Sequence, residues 1–204
     1  MAGNGKMFSC KRMKVEEEKI LAVAYRLFRQ KGVRSTSLQH IARACGTSVW
    51  DINRVFQSKK DMVLAAVRHR FTQKSAYLLI NPSLSPSAVA ELHNFFQFIE
   101  DHIADLGPDI WEELRRYHPV SLDQLQELVD HQLIPYLQRN VERGLQEGFY
   151  RNDLDYELYV PTYFYILRTV LESNRQDWTD TKRTIRHIHD LFFHGTLNVK
   201  GMRI

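Results

Sequence analysis

The stretch SLQHIARACGTSVWDINRVFQSKK, residues 37–60, constrains the fold more than any other part of the chain. Leu38, Ile41, Ala42 and Cys45 recur at helical spacing and define one apolar face. Gln39, His40 and Arg43 lie off that face. Gly46 follows at once, where a helix commonly closes with a residue at positive φ. Thr47 or Ser48 can then cap a second helix, with Ile52, Val55 and Phe56 as its inward stripe. Val49, Trp50, Asp51, Asn53 and Arg54 are left on or near the outward side. Two short helices joined by so tight a turn cannot run antiparallel at length. They cross steeply, as in a helix-turn-helix. An ordinary helical corner inside a core carries the same pattern, and short matches arise by chance.

The next residues favour a nucleic-acid role. Ser58 reads as an N-cap with Asp61 at the third helical position, so Lys59 and Lys60 fall in the first turn. The helix dipole is positive there, and a cation costs about 0.3–1 kcal/mol. A bound phosphate would reverse that sign, because the free N–H groups and both ammonium groups would face one anion. Charge distribution points the same way. Residues 1–74 hold sixteen Lys and Arg against five Asp and Glu, a net of +11. Residues 75–204 hold twelve against nineteen, a net of −7, so the overall +4 hides a basic first third and an acidic remainder. A membrane surface would also attract basic residues, but these are scattered over short helices and form no long Lys-rich amphipathic helix.

The remaining bounds are simple. A chain of 204 residues with 44% hydrophobic content can bury a core in one or two domains. It has no apolar run of about eighteen residues, hence no expected membrane span. The start, MAGNGKMFSCKRMK, lacks a signal-peptide apolar core and is expected to be a flexible basic arm over residues 1–13. Cys10 and Cys45 form no disulfide framework, and Cys45 is expected to be a buried thiol. A cytoplasmic protein fits.

Almost everything else reads as helix. A first helix spans about 15–31, with Ile20, Leu21, Ala24, Leu27 and Phe28 inward and Gly32 at its end. A fourth starts at Ser58, carries Val63, Leu64, Val67 and Phe71, and should break at Asn81-Pro82-Ser83. Ser85-Pro86 should open the next, as cap and first position, and Leu106-Gly107-Pro108 should stop it. Ser121 with Gln124 reads as a capping box, and Pro135 should kink the helix that follows. Apolar helices are expected over 155–173 and 179–197. No stretch alternates as a strand.

The first seventy-odd residues resemble the TetR family of bacterial transcriptional regulators. The likeness rests on Ile20-Leu21-Ala22, Leu27-Phe28, Gly32, Thr36-Ser37, Ile41-Ala42, Gly46-Thr47-Ser48, Ile52, Phe56, Ser58-Lys59 and Met62-Val63, all without gaps. It is specific over residues 15–70; beyond about 75 only the helical layout is similar. The resemblance implies an all-α fold of about nine helices. A three-helix DNA-binding head would occupy 14–74, with its reading motif at 37–56. A larger ligand-binding and dimerisation body would occupy 75–204. It implies a ligand-responsive regulator, a repressor, that binds double-stranded DNA as a homodimer on a palindromic site. Gln39, Val49, Trp50 and Asn53 would face bases, while Thr36, Ser37, Arg54, Lys59 and Lys60 hold the backbone, with Arg43 and Ser48 alongside. The chain departs from the family where Trp50 replaces a usual Gly, Asn53 a Tyr and Val55 a His or Tyr. Its operator should therefore be unlike familiar ones. Asn53 could pair with an adenine edge, and Asp51 is awkward near phosphates unless it accepts from a cytosine amino group or from Arg54.

The helices at 155–173 and 179–197 carry more apolar residues than one packing face needs, so Leu167, Leu171, Ile185, Ile188, Leu191 and Phe192 are candidates for the dimer interface. Pocket candidates are Phe95, Phe98, Trp111, Tyr117, His118, His131, Tyr163 and Arg168, which would suit an apolar or aromatic small-molecule effector. No cofactor, metal site or membrane partner is expected, and the chain is not expected to be an enzyme. Two other readings stay open. One is a helical protein-interaction module with a degenerate head. The other is a metal-dependent hydrolase built on His187, His189-Asp190 and His194, which lacks any Glu-x-x-His pair.

Overall fold

A computed structural model describes residues 4–117, 123, 126–173 and 177–203, with side chains from residue 16 onward. Among them are eight α-helices: α1 (Asn4–Lys31), α2 (Leu38–Cys45), α3 (Val49–Val55), α4 (Lys59–Leu84), α5 (Ala88–Tyr117), α6 (Ile134–Gln146), α7 (Tyr156–Glu172) and α8 (Trp178–Thr196). No strand occurs among the described residues beyond one isolated antiparallel bridge, Tyr150 to Leu197. The all-α expectation holds, and eight helices stand close to the nine expected. The expected Ser121–Gln124 capping box lies outside the described residues.

Two compact units divide the chain. The first comprises Met1–Lys74 and Pro108–Ser121; the second comprises Ser75–Gly107 and Leu122–Ile204. Segment 108–121, expected in the C-terminal body, thus goes with the head.

In the first unit, α1 buries Ile20, Leu21, Ala24, Leu27 and Phe28, the expected stripe, and ends at Gly32 with φ 78°. Its helical backbone reaches back to Asn4, into the segment expected to be a flexible arm; residues 4–14 contain no Pro and are rich in Lys, Arg and Met, which favour helix. From α2 come Ile41 and Ala42, from α3 Ile52, and from α4 Met62, Val63, Ala66, Val67 and Phe71. Two expectations change here. Val55 is exposed, because the chain leaves the helix at Phe56, which takes an extended backbone (φ −118°, ψ 123°) and fills the inward place itself. Cys45 is half-buried.

The second unit holds an aromatic core. Phe95 stacks on Tyr136 with centroids 5.2 Å apart, and Phe96, Tyr163 and Phe164 pack around it. Here α4 does not break at Pro82 but runs on to Leu84. Buried Asn81 explains the continuation. Its amide donates to Glu91 O and Tyr136 Oη, and its Oδ1 accepts from Ser85, Tyr77 and Asn94. Those bonds tie the turn around Pro82 to its neighbours, although proline forfeits one backbone bond there. Ser85 is therefore spent on Asn81, and the cap of α5 is Ser87, whose hydroxyl accepts from Ala90 N–H at 3.2 Å. The break at Gly107 is as expected, with φ 70° and ψ 167°, although helix resumes at once. Pro135 sits in the first turn of α6, where its missing N–H is tolerated, just after a single π-helical turn, Val129–Leu133.

The apolar surplus on the last two helices is smaller than expected. Leu167, Ile185 and Ile188 are buried within the single chain, and Leu171 and Phe192 are half-buried. Only Leu191 of the expected interface set is exposed, joined by Leu158 and Tyr165 of α7. Helical period explains the shift: positions three and four apart share the inward face, and the core claims them first.

Candidate nucleic-acid interface

Three serines open three helices in the first unit. Ser37 Oγ accepts from His40 N–H at 3.2 Å, and His40 Nδ1 accepts from Ser37 N–H at 3.3 Å, a reciprocal capping box. Ser48 Oγ accepts from Asp51 N–H at 3.1 Å, while Asp51 Oδ2 accepts from the Ser48 hydroxyl at 2.5 Å and from Ser48 N–H at 3.3 Å. Ser58 Oγ accepts from Asp61 N–H at 3.1 Å and donates to Asp61 Oδ2 at 2.9 Å. Between the first two helices Gly46 takes φ 70° and ψ 34°, and its N–H closes α2 on Arg43 O. These caps satisfy the orphan donors that would otherwise oppose such short helices.

The outward face follows from that frame. Gln39, Arg43, Asn53, Arg54 and Lys60 are exposed, Val49 is half-buried, and Trp50 is 67% exposed. The guanidinium of Arg54 lies over the Trp50 ring, 5.0 Å from its centroid. Asp51 does not turn outward. Hydrogen bonds from Ser48, and one from the Thr47 hydroxyl at 3.1 Å, hold its carboxyl below the usual range, with Arg54 adding to the effect. The awkward acid of the reading helix is thus folded back onto its own N-terminus, where the dipole favours it.

Thr36 leaves the candidate set. It is fully buried, and its hydroxyl donates to Gly32 O at 2.8 Å and Leu27 O at 3.3 Å, tying the α1–α2 connection together. Lys59 is half-buried and donates to Arg34 O at 3.4 Å; burial pushes its pKa down, against an opposing pull from Glu113. Glu113 also meets Arg34 at 3.7 Å, and the Arg34 guanidinium covers the Tyr117 ring at 4.6 Å. His40 and Arg34 were not legible as site residues. Ser48-x-x-Asp51 carried a readable signal, the spacing of a capping box with an acid at its third position.

The pocket candidates do not converge. Phe95, Phe98 and Tyr163 are core side chains. The Tyr163 hydroxyl pairs with His189 Nε2 at 3.0 Å. His131 is exposed on the π turn, and Arg168 is exposed and paired with Glu172 at 2.7 Å. Trp111 and Tyr117 belong to the first unit, where Tyr117 lines an open cleft of about 310 Å³ with Arg34, Asp109 and Glu113. His118 lies outside the described residues. The histidines of the hydrolase reading also diverge: His189 is buried against Tyr163 and Glu100, His194 Nδ1 meets Asp190 O, and His187 is exposed. Among the described residues no three His, Cys, Asp or Glu side chains are grouped to hold a metal ion. None of the described helices is long and apolar enough to cross a membrane.

Comparison with known proteins agrees with this geometry. Residues 20–66 match the family model for bacterial regulatory proteins of the tetR family. No curated protein matches the chain. Several solved structures share the fold. A transcriptional regulator from Cytophaga hutchinsonii superposes with TM-score 0.74 at 13% identity, covering 88% of this chain and 97% of its own. A regulator from Saccharomonospora viridis in complex with choline gives TM-score 0.66 at 21% identity, covering 89% and 97%. A TetR transcriptional regulator from Streptomyces coelicolor gives 0.61 at 19%, covering 90% and 99%. Residues 20–66 are thus similar in sequence to the tetR-family regulatory head, and most of the chain has the fold of solved TetR-type transcriptional regulators.

Proposed function

We propose that the protein is a ligand-responsive transcriptional repressor, acting in the bacterial cytoplasm, that binds a palindromic operator as a homodimer. The observation that carries this is the outward face of α3, which is polar and aromatic, while its acid is folded back and its core side is closed by Ile52 and Phe56. In the major groove, Gln39, Val49, Trp50 and Asn53 face base edges. Ser37, Arg43, Ser48, Lys59 and Lys60 hold phosphates. Lys59 is partly desolvated already, so an anion there strengthens its charged form.

The exposed apolar side chains Leu158 and Tyr165 of α7 and Leu191 of α8 support a two-fold interface. The aromatic side chains of the second unit support an apolar or aromatic effector, and a neighbour of the same fold is in complex with a small molecule, the cation choline. Effector that binds one body shape better than another shifts operator affinity by that difference.

The test is anisotropy binding of the full chain to randomised duplexes, with selection of bound sequences and a salt titration. A recovered palindrome, affinity falling steeply with salt, and loss in Lys59→Ala, Lys60→Ala are expected. Weak binding without sequence preference would refute the reading.

A further inference from the structure

The geometry points to Arg54, stacked on Trp50, as the reader of a guanine in each operator half-site, with Trp50 as its positioning residue. This rests on the DNA-binding reading above. Family likeness would put Arg54 on the phosphate backbone; three features of this chain suit it to a base.

The first is the stack. Trp50 and Arg54 are four residues apart, hence neighbours on one helix face, and the guanidinium carbon sits 5.0 Å from the ring centroid. A free arginine samples many rotamers. Against a flat indole its plane is confined. Stacking uses the face of the guanidinium, while its N–H donors leave in the plane, so the ring orders the group without consuming its hydrogen bonds. Guanine O6 and N7 accept two parallel N–H bonds from such a plane. A phosphate can accept the same planar fork, so the stack orders Arg54 for either partner and the choice of a base rests on where the outward face of α3 places it.

The second is the freed charge. Asp51, the only acid on α3, is taken by Ser48 and Thr47. Its carboxylate thus takes its hydrogen bonds from Ser48 and Thr47 and acts on Arg54 through charge alone.

The third is exposure. Trp50 is 67% exposed on a helix of seven residues and does not serve the core, which α3 enters through Ile52. An indole there supports Arg54 from beneath and presents an apolar edge to a neighbouring thymine methyl.

The test starts from the operator selected by the full-length protein. Each guanine is then replaced in turn, and affinities are measured for wild type, Arg54→Ala, Trp50→Phe and Trp50→Ala, with circular dichroism to show that each variant folds. Wild type is expected to lose roughly 5–150-fold at one guanine per half-site. Arg54→Ala should lose that preference, because alanine offers guanine O6 and N7 no donor. Trp50→Ala should lose it too, and Trp50→Phe should retain it. The inference is overturned if Arg54→Ala still discriminates the guanine, or if Trp50→Ala does. It is also overturned if Arg54→Ala weakens all sequences alike with a salt slope lower by about 1 per subunit, the mark of a phosphate contact. Failure of the wild type to select any operator would instead remove the DNA-binding reading itself.

Discussion

Arg143 donates from Nη1 to the Glu91 carboxylate at 2.9 Å, and this pair anchors the end of α4. The same guanidinium donates to Pro82 O and Ser85 O, both at 3.1 Å, and to Glu147 Oε1 at 2.7 Å. Terminal carbonyls of α4 that no intrahelical donor can reach are thereby satisfied. The Glu91 side chain is nearly inaccessible, so removing its partner strands a carboxylate. Arg143→Met should cost about 3 kcal/mol by urea unfolding, and adding Glu91→Gln should restore part of that. A loss within experimental error of zero would mean that the helix end is held by Asn81 alone.

His189 is pinned between Glu100 Oε1 at 2.9 Å and the Tyr163 hydroxyl at 3.0 Å, with Phe96 stacked 4.7 Å away. Burial pushes its pKa below the ordinary 6.5, partly offset by Glu100. Between that lowered value and 6.5 the unfolded chain binds more protons than the folded one, so stability rises with pH across this window. Its contribution is complete above about pH 6.5 and is lost as pH falls through the folded value. Unfolding free energies measured at pH 7.5 and 5.5 should differ more for wild type than for His189→Gln. Equal differences would show that His189 does not titrate with unfolding.

Gly144 lies against the ring of Tyr150, where a Cβ would meet the ring carbons. The ring cannot retreat cheaply, because its hydroxyl donates to Ala88 O and Asn140 Oδ1, both at 2.8 Å. Gly144→Ala should destabilise by about 1–3 kcal/mol, despite the better helix propensity of alanine. A gain in denaturation midpoint would show that α6 and Tyr150 pack less closely.

Leu158 and Tyr165 are 68% and 72% exposed on one face of α7. Leu158→Glu with Tyr165→Glu should convert the proposed dimer to a monomer in sedimentation velocity, with affinity for the proposed operator falling alongside. Because neither side chain supports the subunit core, the far-UV spectrum should be unchanged. A variant that stays dimeric would move the interface elsewhere.

The head was largely legible because its signals are local. Stripe spacing, Gly46 and the serine caps act within a few residues, so Ile20, Leu21, Ile41, Ala42, Ile52 and Phe56 were placed inward from sequence alone. Val55 was misplaced, since the exit of α3 into an extended Phe56 takes the inward place for the next side chain. Thr36 was misread because its role lies in a bond to Leu27 O, nine residues away. In the second unit Pro82 was read as a break, and only the distant partners of Asn81, Tyr136 and Glu91 among them, explain why the helix passes it.

Helical periodicity, charge asymmetry and capping chemistry were thus determined by the sequence itself, for they depend on neighbours along the chain. Tertiary structure decided what periodicity leaves degenerate. It chose which apolar residues of α7 and α8 are buried within the chain and which remain exposed. It sent His189 into a buried pair and left His187 on the surface. It scattered the aromatic pocket candidates between core and surface. A helix offers every third or fourth side chain to one side, but only the surfaces packed against it determine which side is dry.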